Sequence, residues 1–444
     1  MIIFLLRCSN NFYKGYIMPM KVKIDDAFER SCVDMTLSYI EETNNGEIHA
    51  IIYPRRQTSE NWVMRWLEPC FRLKNCKGKK VLVHLKHYGP NGDQHCHQIW
   101  GENQRGHFSY DFRNWVILSE LNICSNELIL SHNAPFVQDE VFIGRSWPRS
   151  VTIVGENILA IKNEFVDLVH QTKTAKKFNP IKTTSFPAQL FIADEIKNCI
   201  DEIGREIPYT PFYSFEINDP HFSKPKKNAL ILGGVHAGED LGDLALWEYV
   251  KWILGNTTEA LSLRENYIIR VYPMVNAPGR YAGNWRTVPD STIDSNRQWG
   301  YEMPDHDCVR IAKKVIESEL NGERLIWGLD FHSAPSGEKL QIACRHSVPN
   351  SVILLTKINS FLPNEKFGIY GDINAKTEDP TPPKIAAAWM RLTLKSSVSV
   401  TVESNDKLGP LSPTIVKPYA IALGKAIHQM HQEGYFEKPQ SPYV

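Results

Sequence analysis

Beyond about Lys182 the chain settles into a rhythm that few folds can accommodate. Apolar runs at Ala229 to Val235, Tyr267 to Val275, Leu325 to Phe331 and Val398 to Val402 alternate with segments of helical period at Leu241 to Leu254, Asp307 to Leu320 and Ile415 to His431. Strands alternating with helices predict an α/β domain, with a largely buried mixed sheet and helices on both faces. In such open sheets chemistry collects at the carboxyl ends of the strands, where the loops converge. Several polar segments of this chain begin where an apolar run stops.

The first half reads differently. From about Lys21 to about Val154, short alternating runs such as Ile48 to Tyr53, Val81 to Leu85, Trp115 to Leu118 and Leu128 to Leu130 are separated by clusters of Gly, Asn, Pro and Asp. That spacing predicts an antiparallel β-sandwich. A short helix through Ile158 to His170 should close it, followed by a connector rich in Lys and Thr from Lys173 to Lys182. The expected division is an N-terminal β-sandwich domain over residues 21–172 and an α/β domain over 183–437, which a chain of 444 residues can supply with a core each.

Lys and Arg total 50 and Asp and Glu total 50, so no overall field draws the chain to nucleic acid or an anionic membrane, and neither is expected as a partner. Nine cysteines without regular spacing fit free thiols in a reducing compartment, so a cytoplasmic protein is expected. The apolar opening Met1 to Leu6 is followed too soon by Arg7, Asn10, Asn11 and Lys14 to be a signal-peptide core, and nothing later approaches a membrane span. Met18 or Met20 is the expected start, because patterned sequence begins only after them.

Val235-His236-Ala237-Gly238-Glu239 places a histidine and a carboxylate at i and i+3, just after the run Ala229-Leu230-Ile231-Leu232. Such a pair can close on one cation if the chain turns into a helix between them, as Gly238 and the periodic Leu241, Leu244, Ala245, Trp247 and Val250 predict. An open catalytic zinc site needs three protein ligands and a water. His332, in Leu329-Asp330-Phe331-His332-Ser333 after another apolar run, is the third candidate. Alone, an H-x-x-E more often marks a solvated helix start. The joint pattern is what argues for a metal.

After Tyr267 to Tyr272 comes a long polar loop without apolar period, a type of segment that tends to be functional. It holds Asn276 to Gly279, Gly283-Asn284-Trp285-Arg286 and Asp294-Ser295-Asn296-Arg297-Gln298-Trp299. Asn296 and Arg297 can grip a carboxylate, the guanidinium with paired donors and the amide with one more. Arg286 can face a scissile carbonyl and stabilise the oxyanion that develops there. Glu403 ends the β-branched run Ser397 to Val402, so it should emerge on the same rim as His236 and His332 and can relay a proton from water to a leaving amine. Each of these alone has a blander reading, as a surface glutamate or a loop-fixing ion pair. A second cluster, His84, His87, His95, Cys96 and His97, is expected to be loop and edge-strand histidines, because His84 and His87 fall on opposite faces of a strand.

With these residues in place, the chain resembles the zinc metallocarboxypeptidases, and within them the cytosolic carboxypeptidases with their bacterial members. The resemblance rests on His236 and Glu239, on Gly283 to Arg286, on Asn296 to Trp299, on Asp330-Phe331-His332 and on Thr401-Val402-Glu403-Ser404. It extends to Cys70-Phe71-Arg72-Leu73, Phe108-Ser109-Tyr110-Asp111 and Leu130-Ser131-His132, which look like the β-sandwich preceding the catalytic domain in that subfamily, and to Ile207-Pro208-Tyr209-Thr210 between the two. It implies one zinc per chain on His236, Glu239 and His332, with Asn296 and Arg297 on the substrate's terminal carboxylate. It also implies Arg286 polarising the carbonyl and Glu403 as general base and acid, hence a zinc-dependent carboxypeptidase acting on the C-terminal bond of a peptide or protein. Ala237, Ala277-Pro278 and Ser295 depart from the family pattern without removing a ligand. Members that trim glutamate are expected to carry a cation in the side-chain pocket, for which only Lys384 or Arg391 is available. Two other functions stay open on the sequence. One is a zinc deacylase of N-acyl amino acids resembling the aspartoacylase and desuccinylase group, against which the preceding sandwich argues. The other is a catalytically silent peptide-binding protein, against which the intact ligands and Glu403 argue.

Overall fold

The computed structural model of the chain describes residues 20–437 apart from 60–61, 66–69, 87–105, 125–126, 145–146, 290, 335–340, 344–348, 363–367, 371–383 and 406–412. Two five-stranded sheets form its N-terminal part. One, in spatial order, holds Lys23–Asp25, Cys70–Lys74, Val141–Gly144, His107–Ser109 and Trp115–Ile117, antiparallel throughout. The other holds Glu120–Ile123, Glu127–Ser131, Val81–Lys86, Ile48–Ile52 and Tyr39–Glu42. Within it Ile48–Ile52 and Val81–Lys86 pair in parallel, a departure from the all-antiparallel expectation. No hairpin joins those two strands: the chain between them visits the opposite sheet at Cys70–Lys74 and returns in the same sense. Ala50, Ile52, Val83 and Leu130 from one sheet meet Phe71 and Ile143 from the other in a single apolar core.

The second part is built on a mixed eight-stranded sheet. Its spatial order is Val169–Gln171, Phe215–Ile217, Tyr267–Tyr272, Lys227–Gly233, Leu325–Ala334, Val398–Asn405, Gln341–Ala343 and Gly368–Tyr370. The four strands from Tyr267–Tyr272 to Val398–Asn405 are mutually parallel, and antiparallel pairs flank them on both sides. Near-continuous apolar runs mark these central strands because both faces are covered. Phe331 meets Tyr249 of the helix Asp240–Leu254, ring centroids 5.9 Å apart, whereas a Cβ on Gly328 would lie 2.5 Å from the Met390 sulfur of the helix Ala386–Leu392. Odd and even positions of a strand point to opposite faces, so helices do flank this sheet on two sides.

The helix expected over Ile158 to His170 instead spans Val151–Glu164, capped by Ser150, whose Oγ accepts from the Ile153 amide at 3.2 Å. Its buried stripe Val151, Val154, Ile158 and Ile161 joins the core of the second part, and Val169–Gln171 becomes an edge of the eight-stranded sheet. The seam between the two parts therefore falls near residue 150, ahead of the expected 172. An apolar stripe at helical spacing needs a surface to cover, and the two N-terminal sheets already cover each other. Among the described residues, no helix is long and apolar enough to cross a membrane.

Candidate active site

Three neighbouring parallel strands deliver the site. His236 follows Lys227–Gly233 after a turn in which Gly234 takes φ +59°, where a Cβ would lie 3.1 Å from the Met274 Cα. Glu239 stands at the N-cap position of the helix Asp240–Leu254, its carboxylate turned to the histidines and making no capping bond. His332 stands near the carboxyl end of Leu325–Ala334, and Glu403 is its register partner on the adjacent strand Val398–Asn405. All four groups thus meet on the carboxyl rim of the sheet.

His236 Nδ1 lies 2.8 Å from one carboxylate oxygen of Glu239, and His332 Nδ1 lies 2.8 Å from the other. The two Nδ1 atoms are 3.1 Å apart. Both rings are anchored at their far nitrogens by carboxylates: His236 Nε2 by Asp294 Oδ1 at 2.8 Å and His332 Nε2 by Asp330 Oδ2 at 3.0 Å. Each ring thus faces a carboxylate at both nitrogens, and with the proton kept on Nε2 each Nδ1 can offer a lone pair towards the same point. In that state two lone pairs and an anionic oxygen face one another and repel unless a cation, proton or metal ion, sits among them. Two imidazole nitrogens and one carboxylate form a donor set suited to zinc, with carboxylate partners behind the histidines of the kind that fix ligand tautomers. The three side chains are buried. Burial pushes the Glu239 carboxyl up, yet His236 and His332 outweigh it and hold it well below the usual range. Asp294 is likewise held low, burial being overcome by His236 and Arg286.

Burial raises Glu403 to about 7, opposed by His332 and reinforced by Glu239, which poises it between its two protonation states near neutrality. Arg286 Nε donates to Asp294 Oδ2 at 3.0 Å, and its guanidinium packs over the Trp285 ring at 4.9 Å. Asn296 and Arg297 behave differently from each other. Asn296 is buried, with Oδ1 accepting from the Ala386 amide at 2.9 Å and Nδ2 lying 3.3 Å from His332 Nε2. The Arg297 side chain is 47% exposed and donates to the Asn296 carbonyl at 2.9 Å, leaving most of its fork open. Exposed Lys384 lies beside this pair, its carbonyl accepting from the Trp299 amide at 3.2 Å. Arg391 is half-buried in the helix Ala386–Leu392. Of the second histidine cluster, His84 sits 2.9 Å from His49 and 3.3 Å from Glu127, while His87, His95, Cys96 and His97 lie outside the described residues.

Two partners escaped sequence reasoning. Asp330 lies two residues before His332, so the period of the strand alone puts both on one face. Asp294 is 58 residues from His236, and only the fold brings them together. Ser295 donates its hydroxyl to the Val235 carbonyl at 2.6 Å and lies 2.9 Å from that of Arg286, tying the His236–Glu239 turn to the loop.

No protein-family profile matches the chain. Among curated proteins, human cytosolic carboxypeptidase 2 is 23% identical over 199 residues, which is 45% of this chain and 19% of that protein. Human cytosolic carboxypeptidase 1 is 36% identical over 84 residues, 19% of this chain and 7% of its own length. The matches span about a fifth or less of those relatives. Among solved structures, a metallo-carboxypeptidase from Burkholderia cenocepacia aligns with TM-score 0.64 over 93% of this chain and 100% of its own, at 13% identity. The metallo-carboxypeptidase of Pseudomonas aeruginosa, solved with (2-guanidinoethylmercapto)succinic acid, gives 0.63 over 93% and 99%, also at 13% identity. At such identities the likeness is one of fold. By fold over nearly its whole length this chain is similar to bacterial metallo-carboxypeptidases, and over part of its sequence it is similar to cytosolic carboxypeptidases.

Proposed function

We propose that this chain is a zinc-dependent metallocarboxypeptidase that hydrolyses the C-terminal bond of a peptide or protein. The observation that carries the reading is the convergence of His236 Nδ1, His332 Nδ1 and the Glu239 carboxylate beside Glu403, with both far imidazole nitrogens held by carboxylates. Zinc held by those three side chains supplies a Lewis acid that polarises a carbonyl and lowers the pKa of water. The remaining work belongs to the chain's own residues. Arg297 grips the terminal carboxylate through its open fork, and Asn296, braced by Ala386, fixes the loop that presents it. Arg286, oriented by Asp294 and Trp285, supplies fixed positive charge where the oxyanion develops. Glu403 takes the proton of the attacking water and returns it to the leaving amine, a relay suited to a carboxyl whose affinity for a proton is raised by burial.

The proposal extends to acidic terminal residues, with Lys384 as the pocket cation. Its support is the bond from Trp299 to the Lys384 carbonyl, which sets this lysine beside the Asn296–Arg297 pair. A cytoplasmic setting is supported by the relatives' names and by the thiols Cys76, Cys124 and Cys308. Zinc-repleted protein should release single amino acids from a panel of peptides varied at the C-terminal residue, aspartate and glutamate fastest. Glu403→Gln should lose ~10²–10⁴-fold in kcat while binding zinc as before. A panel left intact, or a Glu403→Gln variant with full turnover, would refute the reading. Cleavage confined to N-acyl amino acids would replace it with the deacylase.

A further inference from the structure

We infer that the N-terminal two-sheet unit is a working part of the active site: through Trp285 and Arg30 it holds the metal-binding turn and Arg286 in position. This deepens the function proposed above and rests on it. Trp285 belongs to the loop of the second part, yet it is 5% exposed and buries its ring in the apolar core of the N-terminal sheets. Its carbonyl accepts from the Gly238 amide at 2.8 Å, and a Cβ on Gly238 would lie 2.6 Å from the Trp285 Cδ1 and 2.7 Å from its Cα. The turn between His236 and Glu239 therefore rests directly on this residue, while the Arg286 guanidinium packs over its indole. One side chain rooted in the N-terminal core thus touches both the ligand turn and the arginine assigned to the oxyanion.

Arg30 approaches the same turn from the N-terminal unit. Fully buried, it donates to the Gly238 carbonyl at 3.3 Å and to Asp240 Oδ2 at 2.8 Å, one residue beyond the ligand Glu239. Its own amide donates to the Tyr281 carbonyl at 2.9 Å. Gly283, at φ +78°, is pressed so close that a Cβ would lie 2.5 Å from the Ser31 carbonyl oxygen. The segment ending in Trp285 and Arg286 is thus gripped on the N-terminal side by backbone and guanidinium, and on the other side it carries the turn. A misplacement of about 1 Å at a catalytic group can lower rate by ~10²-fold, so a grip this close to the ligands should be felt in chemistry as well as in stability.

Arg30 and Trp285 are positioning residues in this account, and two readouts separate that role from simple adhesion between the two parts. Zinc affinity is measured by competition with a chromophoric chelator, and kcat and KM with a peptide the wild type cleaves. Trp285→Ala opens the N-terminal core and is apt not to fold, so Trp285→Phe and Arg30→Gln are measured after circular dichroism shows them folded. Both should lower zinc affinity by ~10–100-fold and kcat by a similar factor, with KM little changed because Arg297 lies outside the grip. Arg113→Met serves as the control. It removes another contact across the seam, the Arg113 Nε bond to Glu156 at 3.0 Å, which does not reach the turn, and it should leave zinc affinity and kcat at wild-type values. Folded Arg30→Gln and Trp285→Phe with wild-type zinc affinity and kcat would overturn the inference, as would an Arg113→Met variant equally impaired. If the wild type cleaves no peptide, the proposed function fails by itself, and the zinc competition still decides the positioning role.

Discussion

Alanine in place of Gly242 sets two effects of opposite sign against each other. Gly242 lies in the first turn of the helix Asp240–Leu254, where propensity alone favours alanine by ~0.5–1 kcal/mol. A Cβ there, however, would lie 2.6 Å from the His332 carbonyl carbon, 2.7 Å from its oxygen and 2.9 Å from its Cα. These are backbone atoms of a central parallel strand, which cannot swing aside as the end of a flexible side chain can. Ordinary contact begins near 3.4 Å, so helix and strand would have to part by several tenths of an ångström. Overpacking of this kind costs ~1–3 kcal/mol, which outweighs the propensity term and leaves a net loss of about 1–2 kcal/mol. For a chain of 444 residues, with an unfolding entropy of about 2.1 cal/mol/K per residue, the loss corresponds to a Tm lower by ~1–2 °C. The displaced atoms carry His332, so zinc affinity should fall as well, and each tenfold fall adds ~1.4 kcal/mol to the deficit at saturating zinc. Melting curves followed by circular dichroism, in chelator and then in excess zinc, should show a deficit that widens when zinc is added. A Gly242→Ala variant that melts at or above the wild type in chelator, with unchanged zinc affinity, would refute the reasoning.

Two further outcomes follow from the same geometry. Asp330→Asn removes the carboxylate that fixes the His332 tautomer, so zinc affinity should fall ~10–100-fold in a chelator competition; an unchanged value would show that Asp330 does not orient the ligand. Burial, opposed by Arg280, pushes the Asp243 carboxyl from its ordinary 3.8 up to about 6. The folded protein then keeps a proton that the unfolded chain releases, so Asp243 contributes stability below about pH 4 that is lost as pH rises through 6. Asp243→Asn lacks this loss, and its urea midpoint relative to wild type should climb between pH 4 and pH 7; a pH-independent difference would count against the raised carboxyl.

Much of the candidate site was legible because its residues stand out locally. His236 and Glu239 share one turn, and His332 and Glu403 each end an apolar run, so spacing and strand-end position sufficed. The helix Asp307–Leu320 matches its periodic segment residue for residue, since a buried stripe against a sheet leaves a clear imprint. What escaped depends on contacts distant in sequence. Asp294 acquires its role only when a long loop folds back over His236, and Trp285 reads as one more loop aromatic until its ring is seen in the core of the other unit. The helix Val151–Glu164 was anticipated, but sequence order assigned it to the wrong unit: linear adjacency does not say which core an apolar stripe will cover. The parallel pairing of Ile48–Ile52 with Val81–Lys86 was hidden for a related reason, because alternation reports which face is buried and not the direction of the neighbouring strand.

The register between Leu325–Ala334 and Val398–Asn405 has its own consequence for how such a chain can vary. His332 and Glu403 face each other as one of eight consecutive paired positions, so their separation is fixed by strand alignment and by no loop. Removing a single residue between Val398 and Val402 would shift the frame by one and turn the Glu403 carboxylate to the far side of the sheet. The three candidate metal-binding side chains would stay where they are, and the proposed proton relay would be gone. Insertions and deletions among natural relatives should therefore gather in the connections that leave this sheet and spare the strand that carries Glu403.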